Sequence, residues 1–162
     1  MDNKIKVGWF SFTCCEDSTI IFTELLNQNY KLWLSKIEFV HGRIFKRDDS
    51  QEIKPMDIAF VEGAITSDRQ EEKLKKIRKQ AKILVAVGSC AVLGSPANQR
   101  NFFNQRQLEE IKPILEKFRY KEKVLKVADI VKVDEIIPGC PMDEKKFIKI
   151  INKYINYARS KL

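Results

Sequence analysis

Ile83-Leu84-Val85-Ala86-Val87-Gly88-Ser89-Cys90 is the stretch on which the fold turns. Its first five residues are all apolar and rich in β-branched side chains, as in a strand covered on both faces at the centre of a parallel sheet. The run stops at a glycine, and a cysteine follows. Working outward, Asp57-Ile58-Ala59-Phe60-Val61-Glu62-Gly63 repeats the pattern and also ends at a glycine. Residues 5–12 read as another buried strand and residues 37–40 as a shorter one. Helical patterns separate them. Residues 18 to about 29 carry Ile21, Phe22, Leu25 and Leu26 on one face, with Ser18 as cap. Ser67-Asp68-Arg69-Gln70 fits a capping box opening a helix that runs to about Gln80. Residues 107–118 read as a short helix with Pro113 near its middle. In the last helix, about 143–158, Phe147, Ile150, Ile151, Tyr154, Ile155 and Ala158 form one apolar stripe. Residues 42–54 are polar and read as a loop or exposed hairpin, and residues 124–137 as an extended segment leading to Pro138-Gly139-Cys140-Pro141. Strands alternating with helices predict an α/β, flavodoxin-like, doubly wound parallel sheet. The 162 residues are expected to form one domain, 1–162.

Composition narrows the function classes. Hydrophobic residues make up 44% and charged residues 32%, an ordinary globular balance that excludes a mainly disordered or disulfide-dense chain. No apolar run approaches the roughly 18 residues that span a bilayer, and the N-terminus reads straight into a strand with no leader pattern. A cytoplasmic protein, or one on the cytoplasmic side of a membrane complex, is expected. Thirty Lys and Arg against 22 Asp and Glu give +8. Six of the basic residues fall within 71–82 and six in the last 22 residues, interleaved with acids on helical patterns. Such spacing reads as solvated helix faces, with no nucleic acid expected as a partner. Neither a P-loop nor a G-x-G-x-x-G is present, so nucleotide binding has no support.

The four cysteines, Cys14, Cys15, Cys90 and Cys140, carry the chemistry. Each follows a predicted strand. Ligands of open α/β sheets bind beyond the carboxyl ends of the strands, so residues distant in sequence are expected to meet at one edge. Glycine and proline beside Cys90 and Cys140 suit loops that aim a thiolate. Four thiols match the ligand count of a tetrahedral zinc site or an iron–sulfur cluster. Structural zinc favours local C-x₂₋₄-C pairs, which are absent, whereas dispersed single ligands suit a cluster docked on a preformed fold. The rival reading is a cluster-free or zinc-stapled interaction module.

Thr13-Cys14-Cys15-Glu16, Val61-Glu62-Gly63-Ala64-Ile65, Val87-Gly88-Ser89-Cys90-Ala91 and Ile137-Pro138-Gly139-Cys140-Pro141, in this order and spacing, resemble the small-subunit family of nickel–iron hydrogenases, which includes the 20-kDa subunit of respiratory complex I. The likeness covers about residues 5–155. It implies a flavodoxin-like domain with one 4Fe–4S cluster that passes electrons to or from a large catalytic subunit, most nearly that of a nickel–iron hydrogenase. Further iron–sulfur or flavin subunits would continue the path. The resemblance makes Cys90 and Cys140 ligands. Complex I-type members use adjacent cysteines, which Cys14 and Cys15 match; the hydrogenase C-x-x-C would instead align Cys15 and put Ser18 at the second ligand. The set implied is Cys14, Cys15, Cys90 and Cys140. A complex I-like or diverged partner without nickel is the alternative, and the chain's length implies a single cluster.

Among other residues, Glu62 reads either as a carboxylate that orients a loop or relays protons, or as a helix or loop cap. Glu16 and Asp17 suit a helix N-terminus. Arg100 reads as pairing with a partner carboxylate or as simply exposed. Trp9 and Trp33 read as core or interface, and the single histidine, His41, as a strand-end residue.

Overall fold

The computed structural model describes residues 4–42 and 52–159, with side chains through Asn156. The predicted loop or hairpin over 42–54 therefore lies largely outside the described residues. Five parallel strands make the main sheet: β1 (Ile5–Ser11), β2 (Ile37–His41), β3 (Met56–Glu62), β5 (Ala81–Val87) and β7 (Glu135–Ile137). They are ordered β2-β1-β3-β5-β7. Counted along the main sheet alone this is 2-1-3-4-5, the flavodoxin-like order, whose chain reversal lies between β1 and β3.

The apolar strands alternate between two cores. Ile5, Val7, Trp9, Ile58, Phe60, Val85 and Val87 face one side, where α1 (Asp17–Lys36) and α5 (Glu144–Arg159) cover them. Trp9 stacks on Phe22 of α1 at 4.4 Å between ring centroids, and Phe147 of α5 meets Phe60 at 5.2 Å. Phe10, Ala59, Val61, Leu84 and Ala86 face the other side, covered by α2 (Asp68–Gln80) and the short α3 (Gly88–Leu93). Helices on both faces make the sheet doubly wound, as the apolar run 83–87 of β5 predicts.

Several elements differ from expectation. Helix α1 runs to Lys36 rather than ending near residue 29, because Trp33 reaches the core and is fully buried there. Ser18 is not its cap but its second residue. A two-stranded antiparallel ribbon pairs β4 (Ile65–Ser67) with β6 (Tyr120–Leu125). The segment expected to be extended over 124–137 thus breaks into the end of β6, a 3-10 turn at Val127–Asp129 and β7. The helix expected over 107–118 is α4 (Gln105–Phe118), Pro113 included, opened by a complete capping box between Asn104 and Gln107. In α2 only half of the expected box forms. The Gln70 N–H donates to Ser67, but the Gln70 side chain turns instead to the Thr66 N–H and to Thr13. Its pull toward the loop after β1 outweighs the local cap.

The basic run of α2 points to solvent around buried Leu74 and Ile77. His41 ends β2 and accepts the Lys54 N–H. Trp9 and Trp33 are both core residues. Among the described residues no helix is long and apolar enough to cross a membrane.

Candidate functional site

Strand register sets the geometry. Ser11 pairs with Glu62, Glu62 with Val87, and Val87 with Ile137, so four residues form one row across the carboxyl end of the sheet. Cys14, Cys90 and Cys140 each stand three positions beyond a member of that row, and Cys15 stands one further. The sheet therefore brings all four cysteines to its carboxyl edge. Cys14 and Cys90 are half-buried there, and Cys15 and Cys140 exposed.

Backbone bonds tie the three segments together. The Phe12 N–H donates to the Glu62 carbonyl, and Thr13 and Ala64 exchange both of their backbone bonds. The Ser89 N–H donates to the Gly139 carbonyl at 2.8 Å, joining the Cys90 segment directly to the Cys140 turn. Gly139 has φ +111°, and a Cβ there would lie 2.5 Å from the Pro141 carbonyl oxygen, so only glycine fits. Cys90 sits in the first turn of α3 rather than in an open loop. Glu16, directly after the tandem cysteines, takes the left-handed conformation at φ 65°, the turn that sends the chain into α1.

Glu62 lies beneath this rim and is almost fully buried. Its Oε1 accepts the Ser18 N–H at 3.2 Å and its Oε2 the Thr19 hydroxyl at 2.5 Å. Glu16, at the N-cap position of α1, makes no side-chain cap. Glu62 supplies it from β3, accepting the Ser18 N–H as a cap does. Burial first, and then nearby Glu16, raise its pKa against the hydrogen bonds it accepts. Asp17 sits in the first turn, where the helix dipole favours it.

Burial pushes the Cys14 thiol up to about 12, helped by negative Glu62, Glu16 and Cys90; the Glu16 N–H works against it. Cys90 is raised by burial, then by Cys140, Cys15 and Glu62, with the Ala97 N–H opposing. Cys90 is thus close enough to feel each of the other three cysteines. Among the described residues no group of three or more His, Cys, Asp and Glu side chains is placed to hold a single metal ion. A 4Fe–4S cluster takes one thiolate per iron, so it asks for thiols spread around a rim. Soft sulfur donors and two N–H groups aimed at sulfur fit such a group.

Chain residues 14–154 match the family model described as NADH ubiquinone oxidoreductase, 20 Kd subunit. The chain belongs to this family. Curated relatives include a vhu subunit of the F420-non-reducing hydrogenase of Methanocaldococcus jannaschii, 28% identical over 98% of this chain and 58% of that protein. The NAD-reducing hydrogenase HoxS subunit delta of Cupriavidus necator is 27% identical over 96% of this chain and 80% of that protein. The chain spans about half the length of several other curated relatives. A solved NAD+-reducing [NiFe]-hydrogenase contains a chain of the same fold, at TM-score 0.80 and 24% identity over 94% of this chain and 92% of that one.

Sequence reasoning missed the polar residues under the rim. Ser11, Thr19 and the Thr13–Thr66–Gln70 cluster owe their roles to contacts across the sheet, which no local pattern reveals. Arg100 donates to the Lys121 and Glu122 carbonyls and covers the Tyr120 ring.

Proposed function

We propose that this chain is an electron-transfer subunit in which Cys14, Cys15, Cys90 and Cys140 hold one 4Fe–4S cluster. Electrons pass between a large catalytic subunit, most nearly of the nickel–iron hydrogenase kind, and further iron–sulfur or flavin subunits. The observation that carries this reading is the level row Ser11–Glu62–Val87–Ile137, with every cysteine of the chain just beyond it. When bound, the cluster supplies a one-electron relay whose potential depends on burial and on hydrogen bonds to sulfur. The chain's own residues ligate, bury Cys14 and Cys90 in part, and direct the Glu16 and Ala97 N–H groups at sulfur; they do no bond chemistry. Two exposed thiols leave a side open for a partner. The hydrogenase relatives support the choice of large subunit. The tandem-cysteine ligand set is supported by Ser18, whose buried hydroxyl already accepts the Met142 N–H. A single cytoplasmic domain, or one on the cytoplasmic side of a membrane complex, completes the proposal.

A second reading has a specific observation behind it. The adjacent cysteines and the family description favour a complex I-like or diverged partner without nickel. Anaerobic purification of the tagged chain from its own cells decides between the two. A co-purifying large subunit with two C-x-x-C pairs supports the hydrogenase reading, and a large subunit without them supports the second. If no large subunit accompanies the chain, both are wrong.

A further inference from the structure

We propose that Ser18 and Glu62 are positioning residues that lock the three cysteine-bearing segments into one rigid rim, an inference that rests on the cluster-holding role proposed above. Ser18 touches all three segments. It lies in the first turn of α1, three residues after Cys15. Its hydroxyl oxygen accepts the Met142 N–H at 3.3 Å, two residues after Cys140. The same oxygen would lie 3.0 Å from a Cβ at Gly88, two residues before Cys90. The Ser89 N–H to Gly139 carbonyl bond closes the third side.

Glu62 holds Ser18 in that place, because its Oε1 accepts the Ser18 N–H. The rest of the carboxylate is fixed by a chain of definite direction. The Trp9 indole N–H donates to the Thr19 hydroxyl oxygen at 2.8 Å. Indole is a donor only, so Thr19 accepts there and its own hydrogen is free for Glu62 Oε2. Ser11 adds a third donor to the carboxylate, reaching Oε2 at 3.4 Å. Every contact of the carboxylate is thus a donor pointing in, and methionine, of similar length, would leave all of them without an acceptor. Ser18→Ala removes the acceptor for a buried N–H, and Glu62→Met removes the cap of α1. Each releases the rim without touching a cysteine.

Thiol labelling of the full chain prepared without iron tests this, with peptide mass spectrometry reading Cys14 and Cys90 separately, well below the melting temperature. Ser18→Ala and Glu62→Met should each label Cys14 and Cys90 at least tenfold faster than wild type. Ile77→Val, a core change under α2 on the opposite face of the sheet, should lower the melting temperature and leave both rates unchanged. Wild-type labelling rates in both rim variants would overturn the proposal, as would equal acceleration by Ile77→Val. Hydrogen exchange of the wild-type chain covers a variant that fails to fold: the Ser18 and Met142 amides should exchange at least a hundredfold slower than free amides, and exchange at the free rate would overturn it. In iron-loaded chains, both variants should broaden the reduced-state EPR line. These labelling and exchange results stand whether or not wild type binds iron, so a failure of the cluster reading shows separately, in wild-type iron content.

Discussion

At Cys14, burial and the neighbouring negative groups hold the thiol up to about 12, so without bound iron it stays protonated at neutral pH and reacts slowly. Iron binding must displace that proton. Cys140→Ser or Cys90→Ser should remove most of the cluster's EPR intensity, because a hydroxyl is a poor substitute for a soft thiolate. Full intensity in Cys140→Ser would show the ligand set to be wrong. With tandem ligation, Cys14→Ser and Cys15→Ser should damage the spectrum about equally, and Ser18→Cys should not strengthen it. An unchanged spectrum in Cys14→Ser would move that ligand to the other register. The cysteines were legible in the sequence because each stands just past an apolar run, and two of them beside glycine. Ser18 was not: it reads as an ordinary cap, and its decisive partner, Met142, is 124 residues away.

Among the elements, the five-stranded sheet was legible for a simple reason. Strands covered on both faces carry continuous apolar runs, and β3 and β5 show them. The β4–β6 ribbon was not, since β4 has three residues and β6 reads as a charged segment. Lys121 of β6 fastens the ribbon to α2 through Asp68 at 2.5 Å and Glu71 at 2.8 Å. Lys121 and Lys75 hold the Glu71 carboxyl down to about 2, against an ordinary 4.5. A lowered folded-state pKa adds stability that is present above pH 4.5 and is lost as pH falls toward about 2. Lys121→Met should therefore flatten the urea-unfolding stability curve in that acid window and leave its slope above pH 5 unchanged; an unaltered acid arm would contradict the assignment. Gly139 makes a backbone demand of its own. Gly139→Ala must accept φ +111° and a 2.5 Å contact with the Pro141 carbonyl, and should cost at least about 1–3 kcal/mol by chemical denaturation. A neutral result would mean that the Cys140 turn relaxes freely.

For the whole molecule, the balance lies between a well-built interior and an unfinished surface. Both cores are continuous and aromatic contacts run through one of them. Leu93, Phe102, Ile114 and Phe118 nevertheless stay more than half exposed, and among the described residues α4 buries none of its side chains. Large apolar groups left in water favour association. The chain expressed alone should aggregate at concentrations where its complex with a large subunit stays monodisperse, as light scattering would record; a stable monomer in air with a lasting cluster would contradict this. The central claim is that three strand ends bring four cysteines to one 4Fe–4S cluster, and iron and acid-labile sulfide analysis of the anaerobically purified wild-type chain tests it most directly. About four irons and four sulfides per chain are predicted; one zinc and no sulfide would contradict it.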